Sequence, residues 1–111
     1  MNQRIYDELK RVAKAKRTIT YGEIAPLAGL DMESPDDRNR IATIFDEISR
    51  HEHAQGRPLL SAVVVHKGEG SPGDGFFKMA RAVGVMLPGD DRLTFFAGEL
   101  GRVHEAWRAE R

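Results

Sequence analysis

Apolar positions in this sequence recur mostly at three- and four-residue intervals, the spacing that gathers side chains on one face of an α-helix. Ile5, Leu9 and Val12 share such a face with charged residues on the others, so residues 3–16 are predicted to form an amphipathic helix. Thr18-Ile19-Thr20 favours a very short strand. Thr20-Tyr21-Gly22-Glu23 matches a capping box, in which the threonine hydroxyl accepts from the amide three residues on and the glutamate reaches back. A short helix should follow through Ala28 and stop at Gly29, kept brief by Pro26, which lacks a backbone donor.

The clearest start signal comes next. Ser34 suits the N-cap, Pro35 the first helical position, and Asp36 and Asp37 complement the positive end of the helix dipole. Ile41, Ile44, Phe45 and Ile48 then make one apolar stripe, and Gly56 supplies the stop. The run Leu59 to Val65 is nearly continuous in apolar residues, as in a strand buried on both faces. Its predicted partners are Ile19-Thr20 and Val85-Met86-Leu87. Between lies the turn-rich segment Gly68 to Gly75, after which Asp74 is expected to cap a helix carrying Phe76, Met79, Ala80 and Val83, ended by Gly84. Pro88-Gly89 makes a turn. Asp90 or Asp91 opens a last helix with Leu93, Phe96, Leu100, Val103 and Trp107 on its apolar face. Phe77 and Phe95 fit these faces less neatly and are expected to close the core.

The pattern reads as one α/β (α+β) domain over residues 1–111: a helix-rich, winged-helix-like core with a small sheet of about three short strands. The 111 residues leave no room for a second independent core. Met1 to Arg17 has no apolar signal-peptide region, and no run approaches the roughly 20 residues that span a bilayer, so a cytoplasmic protein without a membrane partner is expected. The chain has no cysteine, which excludes disulfides, Cys-ligated zinc and a thiolate nucleophile.

Lysine plus arginine and aspartate plus glutamate stand at 17 each, giving zero net charge, whereas nucleic-acid binders usually carry a basic excess. Distribution therefore decides. Arg4, Lys10, Arg11, Lys14, Lys16 and Arg17 make the first segment basic, and Asp31, Glu33, Asp36 and Asp37 make an acidic cluster behind it.

The segment Thr18-Ile-Thr-Tyr21-Gly22-Glu23-Ile24-Ala25 resembles the start of the helix-turn-helix in alkylguanine DNA alkyltransferases and alkyltransferase-like proteins. The helix that follows, with Arg38 and Arg40 near its start, corresponds roughly to the family's recognition helix. The resemblance implies that Tyr21 contacts the DNA backbone and that Arg38 or Arg40 fills the space left by a flipped base. It departs from the family where a Pro-Cys-His-Arg or Pro-Trp-His-Arg motif belongs: this chain reads Ser61-Ala-Val-Val-Val-His66-Lys67. Alkyl transfer to a protein thiolate is thereby excluded.

Other chemistry finds little support. The Gly-rich loop lacks a following Gly-Lys-Ser/Thr, so its glycines are expected to serve turns, or a flexible wing flanked by Lys67 and Lys78. His51 and His53 point about 200° apart on a helix and cannot share an ion; His51 with Glu47 could, but nothing brings His66 or His104 to them. His51 is expected to extend the apolar stripe and His53 to be solvated. No metal, cofactor or catalytic residue is expected. The leading expectation is a non-catalytic DNA-binding module using Tyr21, Arg38, Arg40, Lys10, Lys14, Lys16, Arg17 and Lys67. The alternatives are a protein-interaction module, as a homodimer or a subunit acting through its last helix, and a small enzyme using the Gly-rich loop with His66, Lys67 or Asp74.

Overall fold

The computed structural model, which describes residues 1–108, contains five α-helices and a two-stranded parallel sheet. The chain runs α1 (Gln3–Lys14), β1 (Ile19–Thr20), α2 (Tyr21–Ile24), a 3-10 turn (Ala25–Ala28), α3 (Pro35–Ala54), a second 3-10 turn (Leu60–Val63), β2 (Val64–Val65), α4 (Asp74–Ala82) and α5 (Arg92–Arg108). No described helix is long and apolar enough to cross a membrane.

Local signals were met where caps are strong. Ser34 caps α3 through its side chain and Pro35 begins it, while α1 has an unanticipated cap in Asn2, whose side chain accepts from the Ile5 amide. At α2 both halves of the capping box form, with Thr20 Oγ1 accepting from the Glu23 amide and Glu23 Oε1 accepting from the Thr20 amide. Gly29 ends the Pro26-containing turn in the left-handed region, at φ 70°. Asp91 opens α5, its carboxylate accepting from the Thr94 amide at 2.9 Å.

The apolar run 59–65 behaves differently from the expected strand. Residues 60–63 coil into a 3-10 turn, and only Val64 and Val65 pair, with Ile19 and Thr20. The turn is buried on all sides because α1, α3 and α5 all pack on it. A run hidden by three helices carries the same uninterrupted apolar pattern as a doubly covered strand.

The third strand does not form. Gly84, at φ 86°, ends α4, and the amides of Val85 and Met86 both turn back to the carbonyl of Ala80, leaving neither for a ladder. Met86 is buried there while Leu87 faces outward. Asp74 is not the cap of α4 either: Gly73 holds that position, and Asp74 is the first helical residue, paired to Arg92 at 2.6 Å.

The core gathers Ile5, Leu9, Ile24, Ile41, Ile48, Leu59, Leu60, Val63 and Val103. Phe77 and Phe95 are buried and close it, whereas Leu93 is 64% exposed and lies off the packed face of α5. His51 does not extend the α3 stripe. Its exposed ring meets Tyr6 edge-on, and the helix interior at that end is filled by Glu52.

Candidate nucleic-acid interface and the pocket behind it

The capping box sets the direction of Tyr21. Once Thr20 is fixed at the α2 N-cap, the next side chain leaves the helix start toward α3 and the loop after β2. The Tyr21 ring lies 4.6 Å from the His66 ring and 5.8 Å from that of Phe45, centroid to centroid. Its hydroxyl accepts the Gly73 amide N–H at 2.9 Å. Burial pushes the phenol pKa above its usual value, and the Gly73 bond offsets only part of this. The hydroxyl therefore keeps a proton that it can donate.

The loop from His66 to Gly73 is folded on itself. The His66 amide donates to the Ser71 carbonyl and the His66 carbonyl accepts from Gly70. Gly68 and Gly70 have positive φ, the backbone geometry that these turns require of glycine. Gly73 is close-packed: a Cβ there would lie 3.0 Å from His66 Nε2 and 3.5 Å from the Tyr21 hydroxyl.

Tyr21, His66 and Gly73 wall a pocket of about 440 Å³ between this loop, α3 and α4. Its floor is apolar, made by Ile41, Phe45, Phe76 and Met79, and Met32 lies beside it. Arg38 stands at its edge. Asp46, two turns further along α3, also lines it and is bound to Arg50 Nε at 2.8 Å. Ser61 contributes a buried hydroxyl engaged with Ser49 at 2.7 Å. Arg40 lies elsewhere, beside a shallower cleft with Ala28, Leu30 and Ile44. The two arginines that sequence spacing left equivalent thus face different surroundings.

The remaining expected contact residues divide by their partners. Lys10 is engaged, 3.3 Å from Asp7 and 4.4 Å above the Tyr6 ring. Among the described residues, Lys14, Lys16, Arg17, Arg38, Arg40 and Lys67 form no ion pair, and all six are exposed. Arg17 and Lys67 lie near enough to Glu23 to help hold its carboxyl below the usual range, after the larger effect of the Thr20 hydrogen bonds. The acidic cluster is largely exposed and knitted by local bonds: Asp37 accepts from the Asp31 amide and Asp31 from the Glu33 amide, both at 2.9 Å.

Of the residues considered for an enzyme, Asp74 is held by Arg92, whose hydrogen bond keeps its carboxyl below the usual range. His66 and Asp74 both border a smaller cleft of about 320 Å³ with Ser71 and Leu93. Among the described residues, no three histidine, aspartate or glutamate side chains converge as a metal site.

Two arrangements escaped sequence reasoning. Tyr21, His66 and Gly73 meet only through tertiary folding, and no spacing announces them. Glu52 is completely buried, accepting from the Tyr6 hydroxyl at 2.7 Å and from Arg57 Nε and Nη2 at 2.8 and 3.0 Å. Burial would raise the Glu52 pKa, but the bonds from Arg57 and Tyr6 outweigh it and hold the carboxylate ionised. The guanidinium of Arg57 lies 5.7 Å from the Trp107 ring, tying this network to α5.

Compared with protein-family models, curated proteins and solved structures, the chain has no match.

Proposed function

We propose that this chain is a non-catalytic DNA-binding module of winged-helix type, regulatory or accessory to a DNA-processing system. In this reading α2 and α3 form the helix-turn-helix and the His66–Gly73 loop stands beside them in the place of a wing. Lys14, Lys16, Arg17, Arg38, Arg40 and Lys67 contact phosphates.

The observation that carries the reading is that six exposed cations of the expected interface form no ion pair among the described residues, a state that Arg4, Lys78 and Arg81 share elsewhere on the chain. Arg11, Arg50, Arg57, Arg92, Arg102 and Arg108 are each bound to a carboxylate, whereas the six proposed contact residues have no such partner among the described residues. Zero net charge is compatible with binding when the unneutralised positive groups are those that meet the duplex. The resemblance of Thr18 to Ala25 to the alkyltransferase-like helix-turn-helix supports the same reading, with thiol chemistry excluded by composition. The acidic first turn of α3 directs contact to its second turn, where Arg38 and Arg40 lie. A protein-interaction module acting through α5 is less well supported, because Phe95, Phe96, Val103 and Trp107 are spent on the chain's own core.

Fluorescence anisotropy with a short labelled duplex at low salt tests the proposal. Saturable binding is expected. A flat titration at that salt with both duplex and single-stranded DNA rejects it.

A further inference from the structure

The groups that border the 440 Å³ pocket restrict what it can hold. Its volume lies in the range of small-molecule sites, about 300–1,000 Å³. Most of its wall is hydrocarbon or aromatic, from Ile41, Phe45, Phe76 and Met79. Its polar groups fall into two sets. Asp46, Ser61 and Thr43 already have protein partners in Arg50, Ser49 and the Asn39 carbonyl. Arg38 has no ion-pair partner among the described residues, and the Tyr21 hydroxyl, having accepted from Gly73, retains its proton for donation. His66 has no side-chain hydrogen bond among the described residues, and its imidazole supplies one N–H in either neutral tautomer.

The uncommitted groups can therefore all donate, one of them a permanent cation, over an apolar floor, and His66 adds one ring acceptor. Asp46 lies about 12 Å from Arg38 along the α3 axis, eight residues at 1.5 Å each, so the positive and negative ends of the groove are well separated. A ligand with many acceptors and donors around its edge would leave most of them unsatisfied against this floor. One with a single compact anionic group and an apolar body would not.

We propose that this pocket binds a small apolar monocarboxylate. Its carboxylate is held by the Arg38 guanidinium, with the Tyr21 hydroxyl and His66 as further donors, and its hydrocarbon or aromatic body lies on Phe45, Phe76 and Met79. Arginine is suited to this because its fork accommodates both carboxylate oxygens at once. The inference concerns the pocket alone and holds whether or not the chain binds DNA.

Isothermal titration with 3-phenylpropionate as the probe tests it, with 3-phenylpropanol as the uncharged counterpart. The acid is expected to bind, and the alcohol to bind roughly 10- to 100-fold more weakly, the ratio set by hydrogen bonds to a charged group. Arg38→Gln should remove that preference while keeping the alcohol's weak affinity. Arg81→Gln, on the exposed face of α4, should leave both unchanged. Ala42→Trp, at an exposed lining position, should block both ligands while thermal melting reports an intact fold. The proposal is overturned if the acid does not bind at about 5 mM, well above the 1 mM that corresponds to about −4 kcal/mol. Equal binding of acid and alcohol, or an unaltered preference in Arg38→Gln, overturns it too. So does binding of guanosine in the pocket without binding of the acid, which would mark it as a nucleobase site.

Discussion

Tyr21 and Gly73, far apart in sequence, are joined by a hydrogen bond from the Gly73 amide to the Tyr21 hydroxyl at 2.9 Å. It ties the first residue of α2 to the N-cap of α4 and holds the His66 loop between them. One phenol thus supports both the proposed interface and the wall of the pocket.

Removing that hydroxyl separates its two effects. Tyr21→Phe keeps the ring on Phe45 and His66 but leaves the Gly73 amide without its acceptor. A loss of about 1 kcal/mol is expected in urea denaturation. Amide exchange at Gly73 should quicken while the α1 and α3 amides keep their protection, and unchanged exchange at Gly73 would contradict the role assigned to the bond.

Gly73 has an ordinary backbone, at φ −78°, so the constraint on it is steric. Gly73→Ala brings a methyl group 3.0 Å from His66 Nε2 and should cost about 1–2 kcal/mol through displacement of the imidazole. With His66 already shortened to alanine, the same change should cost much less. A double-mutant cycle reads this coupling directly, and strictly additive losses would count against it.

Glu52 gives the fold a pH dependence whose sign follows from its lowered pKa. The unfolded chain holds this proton more tightly, so the stabilisation is complete above the unfolded carboxyl pKa of about 4.3 and is lost as pH falls through the folded value. Glu52→Gln removes the charge that Arg57 and Tyr6 address and should cost about 3 kcal/mol at neutral pH. Its stability should also fall less steeply than wild type between about pH 5 and 3, measured by denaturation at each pH.

Lys16 is the one non-glycine residue with positive φ among those described, at 56°. It ends α1 in a left-handed turn, where the Arg17 amide returns to the Val12 carbonyl at 3.1 Å. Lys16→Gly should raise stability by about 1 kcal/mol by relieving the side-chain clash of that conformation. Equal or lower stability would mean that the lysine side chain makes a compensating contact.

How far these features could be read from sequence depended on how local they were. Thr20, Ser34 and Asp91 act within three residues of themselves, and the helices near them began close to where their side chains imply. The run 59–65 was misread because burial on every side erases periodicity, whether the segment is a strand or a turn pressed between helices. The third strand failed because closing α4 consumed the amides of Val85 and Met86. Within the site, Tyr21 stood out through the resemblance of Thr18 to Ala25 to the alkyltransferase-like helix-turn-helix. Its partners His66 and Gly73 did not, because they lie far along the chain and only the tertiary fold brings them to Tyr21. Buried Glu52 was hidden for the same reason: no spacing along α3 points to it, and its partner Tyr6 lies on α1.

The proposal that six unengaged cations meet the DNA backbone is tested most directly by the salt dependence of duplex affinity, in wild type and in an Arg38→Gln/Arg40→Gln double variant. Six phosphate contacts predict a loss of about a thousandfold between roughly 50 and 200 mM salt, and the variant should lower the slope of log K against log salt by about two. A slope near zero in the wild type, or one that the double variant leaves unchanged, would contradict it.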